Sequence, residues 1–172
     1  MNTHSQTFRL PETKCGVSQK QNLSQKDLYN KALDYLSRRE YSRLELQQKL
    51  AQYTNNQNDI ASVLERLIER NLQSDKRVSE NFIHSKQAKY GNGRLIENLK
   101  QKGVNLQDAS EFLPDKETQL ATAVAILHKK LGTPRRLSAN EQQKAYRFLL
   151  YRGFSAEMVR MALKAWQQWE ND

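Results

Sequence analysis

The amino-acid sequence predicts an all-α protein built as an array of helical repeats. Proline and glycine are scarce, with 3 and 6 residues among 172, whereas the strong helix formers Leu, Lys, Arg, Gln and Glu are abundant. Apolar residues recur at spacings of three and four, which places them on one face of a series of short helices. Residues that start and stop helices stand between these apolar segments. We therefore predict about nine amphipathic helices joined by short connections.

Each predicted helix has its own apolar face. In chain order the faces span residues 28–36, 46–50, 60–68, 78–83, 95–99, 106–113, 120–127, 145–149 and 158–166. Start signals precede most of them, and two are capping boxes, in which a serine is followed three residues later by Glu45 or Glu141. The predicted N-caps are Ser24, Ser42, Asn105, Ser138 and Ser155, and the predicted stops are Gly103, Gly132 and Gly153.

The N-terminal residues follow a different pattern from the rest of the chain. Residues 1–25 are rich in Gln, Ser, Thr and Asn and have no apolar period, which is typical of a disordered tail. We therefore predict a tail over 1–25 and a helical-repeat domain over 26–172. The tail also has no apolar segment of the signal-peptide type, and no run of apolar residues is long enough to cross a membrane, so a cytoplasmic protein is expected.

A short pattern occurs three times. Tyr41-Ser42, Tyr90-Gly91 and Phe154-Ser155 each place an aromatic before a small residue, with apolar residues five and nine positions after the aromatic. An aromatic just before a helix cap packs on the first turn as a hydrophobic staple. We therefore expect these three aromatics to be buried at equivalent helix junctions of three repeats, at roughly 27–72, 74–114 and 115–169, with the motif helix of the third repeat being its last helix. Such arrays bury their cores between neighbours and are elongated.

The formal net charge of +9 indicates a polyanionic partner. The basic residues fall into three groups, which general solubility would also explain. The functional interpretation is a discontinuous basic surface that follows phosphates or an acidic protein groove. The candidate residues are Arg38, Arg39 and Arg43; Lys86, Lys89 and Arg94; and Lys129, Lys130, Arg135, Arg136, Lys144, Arg147 and Arg152.

The sequence contains no constellation typical of catalysis. His4, His84 and His128 stand apart without metal-ligand spacing, and Cys15 is the single cysteine, so we predict neither an enzyme nor a metal site nor a cofactor. The aromatics Tyr41, Tyr90, Phe154 and Trp166 have the geometry to stack on bases, but at helix junctions they are more typical of core.

Three stretches of the chain form a further pattern in combination: residues 32–50, residues 63–104 and the segment Tyr151-Arg152-Gly153-Phe154-Ser155. Together they resemble the RecX family, regulators of the RecA recombinase. Asn71 stands where the family often has Gly, and Asn is the next-best residue for the left-handed conformation expected there.

The resemblance implies tandem three-helix repeats in a crescent that binds along the groove of the RecA–DNA filament. It further implies a monomeric regulator, most simply an inhibitor, that acts on RecA in recombination, DNA repair and the SOS response. The alternative is a helical module that binds single- or double-stranded DNA non-specifically and without RecA. Against that alternative, no single helix carries the cluster of base-reading side chains expected of a recognition helix.

Overall fold

The computed structural model describes residues 22–168, and every regular element among them is a helix. The all-α prediction is therefore confirmed. The nine helices of this range are α1 (Gln25–Leu36), α2 (Arg43–Leu50), α3 (Gln57–Glu69), α4 (Asp75–Lys86), α5 (Asn92–Gln101), α6 (Leu106–Ser110), α7 (Lys116–Leu131), α8 (Ala139–Tyr151) and α9 (Ala156–Gln168).

The helix boundaries follow the predicted start and stop signals. Side-chain oxygens of Ser24, Ser42, Asn105 and Ser138 accept from backbone N–H groups of the first turns of α1, α2, α6 and α8. Both predicted capping boxes are present. The three predicted stop glycines have positive φ, and Asn71 has φ +54°. Asn71 thus takes the left-handed conformation expected of it, which ends α3 and turns the chain towards α4.

The helices form three triplets, each around its own core. Residues of α1–α3 enclose the first cluster and those of α4–α6 the second, and α7–α9 surround a third cluster in which Trp166 is fully buried. The most extensive helix pairings all lie within a triplet, as expected of a repeat array. The second cluster has the fewest buried side chains, namely Val78, Ile83, Leu95, Leu99, Val104 and Ala109.

Of the tail predicted over residues 1–25, residues 1–21 lie outside the described part of the chain. Leu23 packs against the first core, and its N–H donates to the carbonyl of Tyr53 at 3.2 Å. The folded body therefore includes Leu23.

The prediction that Tyr41, Tyr90 and Phe154 occupy equivalent buried junctions is wrong. Tyr41 and Tyr90 precede the second helix of their triplets, whereas Phe154 precedes the third helix of its triplet. Leu137 takes the position of the two tyrosines, one residue before the N-cap of α8. Tyr41 and Phe154 are buried, but Tyr90 is only half-buried.

The first joint between triplets places the N-terminus of α2 on the C-terminal end of α5. The hydroxyl of Ser42, the N-cap of α2, donates to the carbonyl of Lys102, the C-cap of α5, at 2.6 Å. Glu45 then bridges the joint, accepting from Lys102 Nζ at 2.6 Å and from Arg39 at 3.3 Å. A second ion pair, between Arg77 and Glu40 at 2.9 Å, lies alongside.

The second joint repeats this arrangement between α5 and α8, but its two hydrogen bonds join backbone groups only. The N–H of Gly91, the N-cap of α5, donates to the carbonyl of Arg152, the C-cap of α8, at 2.9 Å, and Gly93 N–H donates to Gly153 O at 3.0 Å. A Cβ on Gly91 would lie 2.6 Å from Gly153 O. Gly153 has φ +86°, and a Cβ there would overlap the backbone of Arg94. The two backbone segments approach this closely only because Gly91 and Gly153 have no side chains.

The second joint generates the first prediction. Gly153→Ala adds both backbone strain and a clash with Arg94, whereas Gly132→Ala adds strain alone, because φ at Gly132 is +78° and nothing lies within 4 Å of its would-be Cβ. We expect Gly153→Ala to lower the free energy of unfolding by about 1–3 kcal/mol more than Gly132→Ala. Urea unfolding of both variants measures the difference, and equal losses would contradict the close packing of the joint.

The first joint generates a prediction about pH. Burial raises the pKa of Glu45, but hydrogen bonds from Lys102, the Ser42 backbone and Arg39 outweigh it and lower the pKa to about 2. The carboxylate therefore stabilises the fold above its unfolded pKa of about 4.5, and this contribution is lost as pH falls from there towards 2. We expect Glu45→Gln to cost about 1–3 kcal/mol at neutral pH and the difference from the parent protein to shrink below pH 4.5.

Thermal melts of parent and Glu45→Gln at a series of pH values test this expectation. Glu69→Gln is the control, because Glu69 is exposed and has no ion pair within residues 22–168. A constant gap between parent and Glu45→Gln down to pH 3 would show that Glu45 acts through packing rather than charge.

Candidate functional site

The basic residues singled out in the sequence collect at one recurring place, the connection from the first to the second helix of each triplet. We call these connections the first, second and third corners. The first corner carries Arg38, Arg39 and Arg43, and the second carries Lys86, Lys89 and Arg94. The third corner carries Lys129, Lys130, Arg135 and Arg136, and Lys144, Arg147 and Arg152 follow it along α8 and at its C-terminal end.

At the first corner one arginine is occupied by the fold. The Arg39 guanidinium lies 3.6 Å from the centroid of the Tyr41 ring and pairs with Glu45. Arg38 and Arg43 are exposed, and neither forms an ion pair with another described residue. Arg38 and Arg43 are therefore the residues of this corner that remain available to a partner.

The second corner gains a further arginine from the next repeat. The Arg152 guanidinium donates to the carbonyl of Lys89 at 3.1 Å and lies 4.6 Å from the ring of Phe148. Arg94 pairs with Glu97 at 2.8 Å, and its guanidinium is 5.8 Å from the ring of Tyr151. The second joint thus brings cations of α5 and α8, which are distant in sequence, into one patch.

The third corner contains most of the available charge. Arg135 pairs with Glu141, and hydrogen bonds from Arg135 and from the backbone and hydroxyl of Ser138 lower the pKa of Glu141 to about 2. Lys130 lies 4.0 Å from the ring of Phe148. The remaining basic side chains of this corner and of α8 are exposed and form no ion pair within the described range: Lys129, Arg136, Lys144 and Arg147.

The first and third corners share a seven-residue pattern that the aromatic alignment missed. Arg39, Ser42 and Glu45 have the same spacing as Arg135, Ser138 and Glu141, and in both sets the glutamate closes a capping box and pairs with the arginine. The second corner has Gly91 and Arg94 in place of the serine and glutamate, so it has neither the box nor the pair. Both capping boxes are visible in the sequence, and their spacing to the preceding arginine is the signal that identifies the equivalent corners.

Most aromatics proposed for base stacking belong to the cores. Tyr41, Phe154 and Trp166 are buried, and Tyr90 is half-buried. The exposed aromatic of the region is Tyr151, the last residue of α8, which is 78% exposed. Sequence patterning missed Tyr151 because the exposure of a single ring depends on the tertiary packing around it.

Histidines and carboxylates form no metal-binding group among residues 22–168. His84 is exposed on α4, and the ring of His128 lies edge-on to Trp166 with centroids 6.1 Å apart. His4 and Cys15 lie outside the described range. No helix of the described range is long and apolar enough to cross a membrane.

Comparison with known proteins identifies two of the three triplets directly. The family model of the first three-helix domain of RecX matches residues 29–67, and that of the third three-helix domain of RecX matches residues 117–163. These ranges fall on α1–α3 and α7–α9.

Complete sequences and solved structures extend the match over most of the chain. The regulatory protein RecX of Neisseria meningitidis serogroup B is 43% identical over 150 residues, covering 86% of this chain and 97% of the relative. The regulatory protein RecX of Chromobacterium violaceum is 39% identical over 140 residues, covering 80% and 90%. The crystal structure of RecX from Lactobacillus salivarius superposes with a TM-score of 0.72 at 24% identity, covering 82% of this chain and 95% of that one.

The first and third triplets match RecX domains, and the near full-length relatives are RecX proteins. The chain therefore belongs to the RecX family of regulatory proteins.

Proposed function

We propose that this protein inhibits RecA in recombination and DNA repair by binding along the RecA–DNA filament. The observation that carries the proposal is the recurrence of basic residues at the same corner of three successive repeats. A filament presents the same phosphates and the same protein groove at regular intervals, so a row of equivalent corners suits it better than it suits a single small ligand. Membership of the RecX family supports RecA as the protein component.

The available cations define where such a filament would be contacted. Side chains that are exposed and outside ion pairs gain most from a phosphate or carboxylate partner, because binding does not first require an internal pair to break. By this criterion the main contacts are Arg38 and Arg43 at the first corner, Lys89 at the second, and Lys129, Arg136, Lys144 and Arg147 at the third corner and along α8.

Arg39 and Arg135 have a different role in this proposal. Each is paired with the capping-box glutamate of its corner, so each stabilises the N-terminus of the helix that carries the available cations. In this proposal a single chain supplies the whole row of contacts, which fits a monomer acting in the cytoplasm, where bacterial DNA lies.

The charged contacts lead to a prediction about inhibition. Reversing Lys129, Arg136, Lys144 and Arg147 to Glu should strongly weaken inhibition of RecA-driven ATP hydrolysis while leaving the melting temperature close to that of the parent, since all four side chains are exposed. Arg135 is left in place, because a glutamate there would repel Glu141 and disturb the cap of α8. The measurement is a titration of cognate RecA ATPase with parent and variant.

A control with the same change of net charge separates location from total charge. Lys26, Lys31, Arg66 and Arg70 are exposed, form no ion pair within the described range and lie outside the three corners, on α1 and at the C-terminal end of α3. Their reversal should leave inhibition largely intact. Raising the salt concentration should weaken filament binding by the parent protein steeply, and binding by the variant with four reversed charges at the third corner and α8 less steeply. The slope of log affinity against log salt concentration should decrease by roughly 0.7 for each phosphate contact removed.

Equal inhibition by the two quadruple variants would remove the third corner from the interface. No effect of the parent on cognate RecA would overturn the proposal. Salt-dependent binding of the parent to bare DNA in that case would favour the alternative, a nucleic-acid-binding module that acts without RecA. The basic residues around the exposed Tyr151 are the observation that supports this second candidate.

A further inference from the structure

Tyr151 is unusually exposed for a large aromatic side chain. It is 78% exposed, whereas the other exposed large hydrophobic side chains of the described chain are 38–44% exposed. The ring closes α8 and lies outside the hydrophobic core of the third triplet. A ring left open to water in this way contributes nothing to a core, and at 78% exposure it offers a planar partner a surface to stack on.

The position of this ring is set by the most tightly packed joint of the molecule. The two residues that follow Tyr151 are Arg152 and Gly153, whose carbonyls accept the N–H groups of Gly91 and Gly93. The end of α8 is therefore held against the start of α5 by backbone hydrogen bonds. A ring presented from such a fixed backbone loses little conformational freedom on binding.

The surroundings of the ring are basic. The Arg94 guanidinium is 5.8 Å from the ring centroid, and Arg147 stands one helical turn before Tyr151 on the same face of α8. Arg152 and Lys89 are joined at the same place. The nearby acids are Glu97, which pairs with Arg94, and Glu157 in the first turn of α9. The cations outnumber these acids, so the patch attracts an anion that also offers a flat apolar surface.

We propose that Tyr151 is a stacking platform for an unpaired base of single-stranded DNA, with Arg147, which forms no ion pair within the described range, on a flanking phosphate. Stacking on an aromatic side chain requires an open base face, which a single strand offers and a duplex conceals between its base pairs. An apolar protein segment fits the place poorly, because a guanidinium lies over the ring and further cations meet at the same joint. The inference rests on the proposed function only in taking DNA as part of the partner.

Fluorescence anisotropy with labelled oligothymidine and a labelled blunt-ended duplex without unpaired bases tests the inference. Tyr151→Ala should weaken binding of the full chain to oligothymidine by about tenfold, the loss expected of one stacked base. Tyr151→Phe keeps the ring face and should bind like the parent. Leu150→Ala is the matched control, since it removes an exposed apolar side chain from the neighbouring position of the same helix and should change binding little.

Three results would overturn the inference: equal affinities of Tyr151→Ala and Leu150→Ala for oligothymidine, an equal loss of affinity for the duplex, or no binding of the parent to oligothymidine. The RecA ATPase assay keeps this test distinct from that of the proposed function. A parent that inhibits RecA but does not bind oligothymidine overturns the stacking platform alone. A parent that does not inhibit RecA overturns the proposed function, whatever the oligothymidine result.

Discussion

The structure depends on a hydrogen bond that recurs at each joint, in which the N-cap of one second helix donates to the C-cap carbonyl of the next second helix. Ser42 donates to Lys102 and Gly91 donates to Arg152. Each bond satisfies a carbonyl that the end of a helix leaves without an intrahelical partner, and it aligns the two helix dipoles head to tail. The second triplet takes part in both joints. Its core is the smallest of the three, and a segment of roughly 40 residues is near the lower limit for folding alone. Its stability therefore depends on its neighbours.

The two joints achieve the same connection with different chemistry. The first is bridged by the Glu45 carboxylate between Arg39 and Lys102, so its cations are largely neutralised by the fold. At the position of Glu45 the second joint has Arg94, and it is closed by backbone groups that require Gly91 and Gly153. Replacing a carboxylate by a cation there leaves the second joint positively charged. The second joint therefore combines close glycine packing with a group of cations.

The local features of the fold were predictable because each depends on a few neighbouring residues. Capping serines, the glycines with positive φ and the left-handed Asn71 act within one turn of helix. The register of the third repeat was not predictable from the spacing of Phe154. The same pattern of an aromatic before a small residue precedes the second helix in two triplets and the third helix in the last, so it does not mark equivalent positions. Charge alone identified the basic candidates, but the pairing of Arg39 and Arg135 with capping glutamates and the exposure of Tyr151 depend on the tertiary packing.

Paired and available cations are distributed unevenly along the array. In the first triplet Arg39, and in the second triplet Arg77 and Lys102, are committed to ion pairs that hold the first joint. From the second joint onward, Arg136, Lys144 and Arg147 form no ion pair within the described range. Cations also lie over the rings of Phe148 and Tyr151 on α8. On the proposed function, the N-terminal triplet contributes a rigid base with few available contacts. The C-terminal end of α8 then contributes most of the affinity for nucleic acid, because it combines available charge with an open aromatic ring.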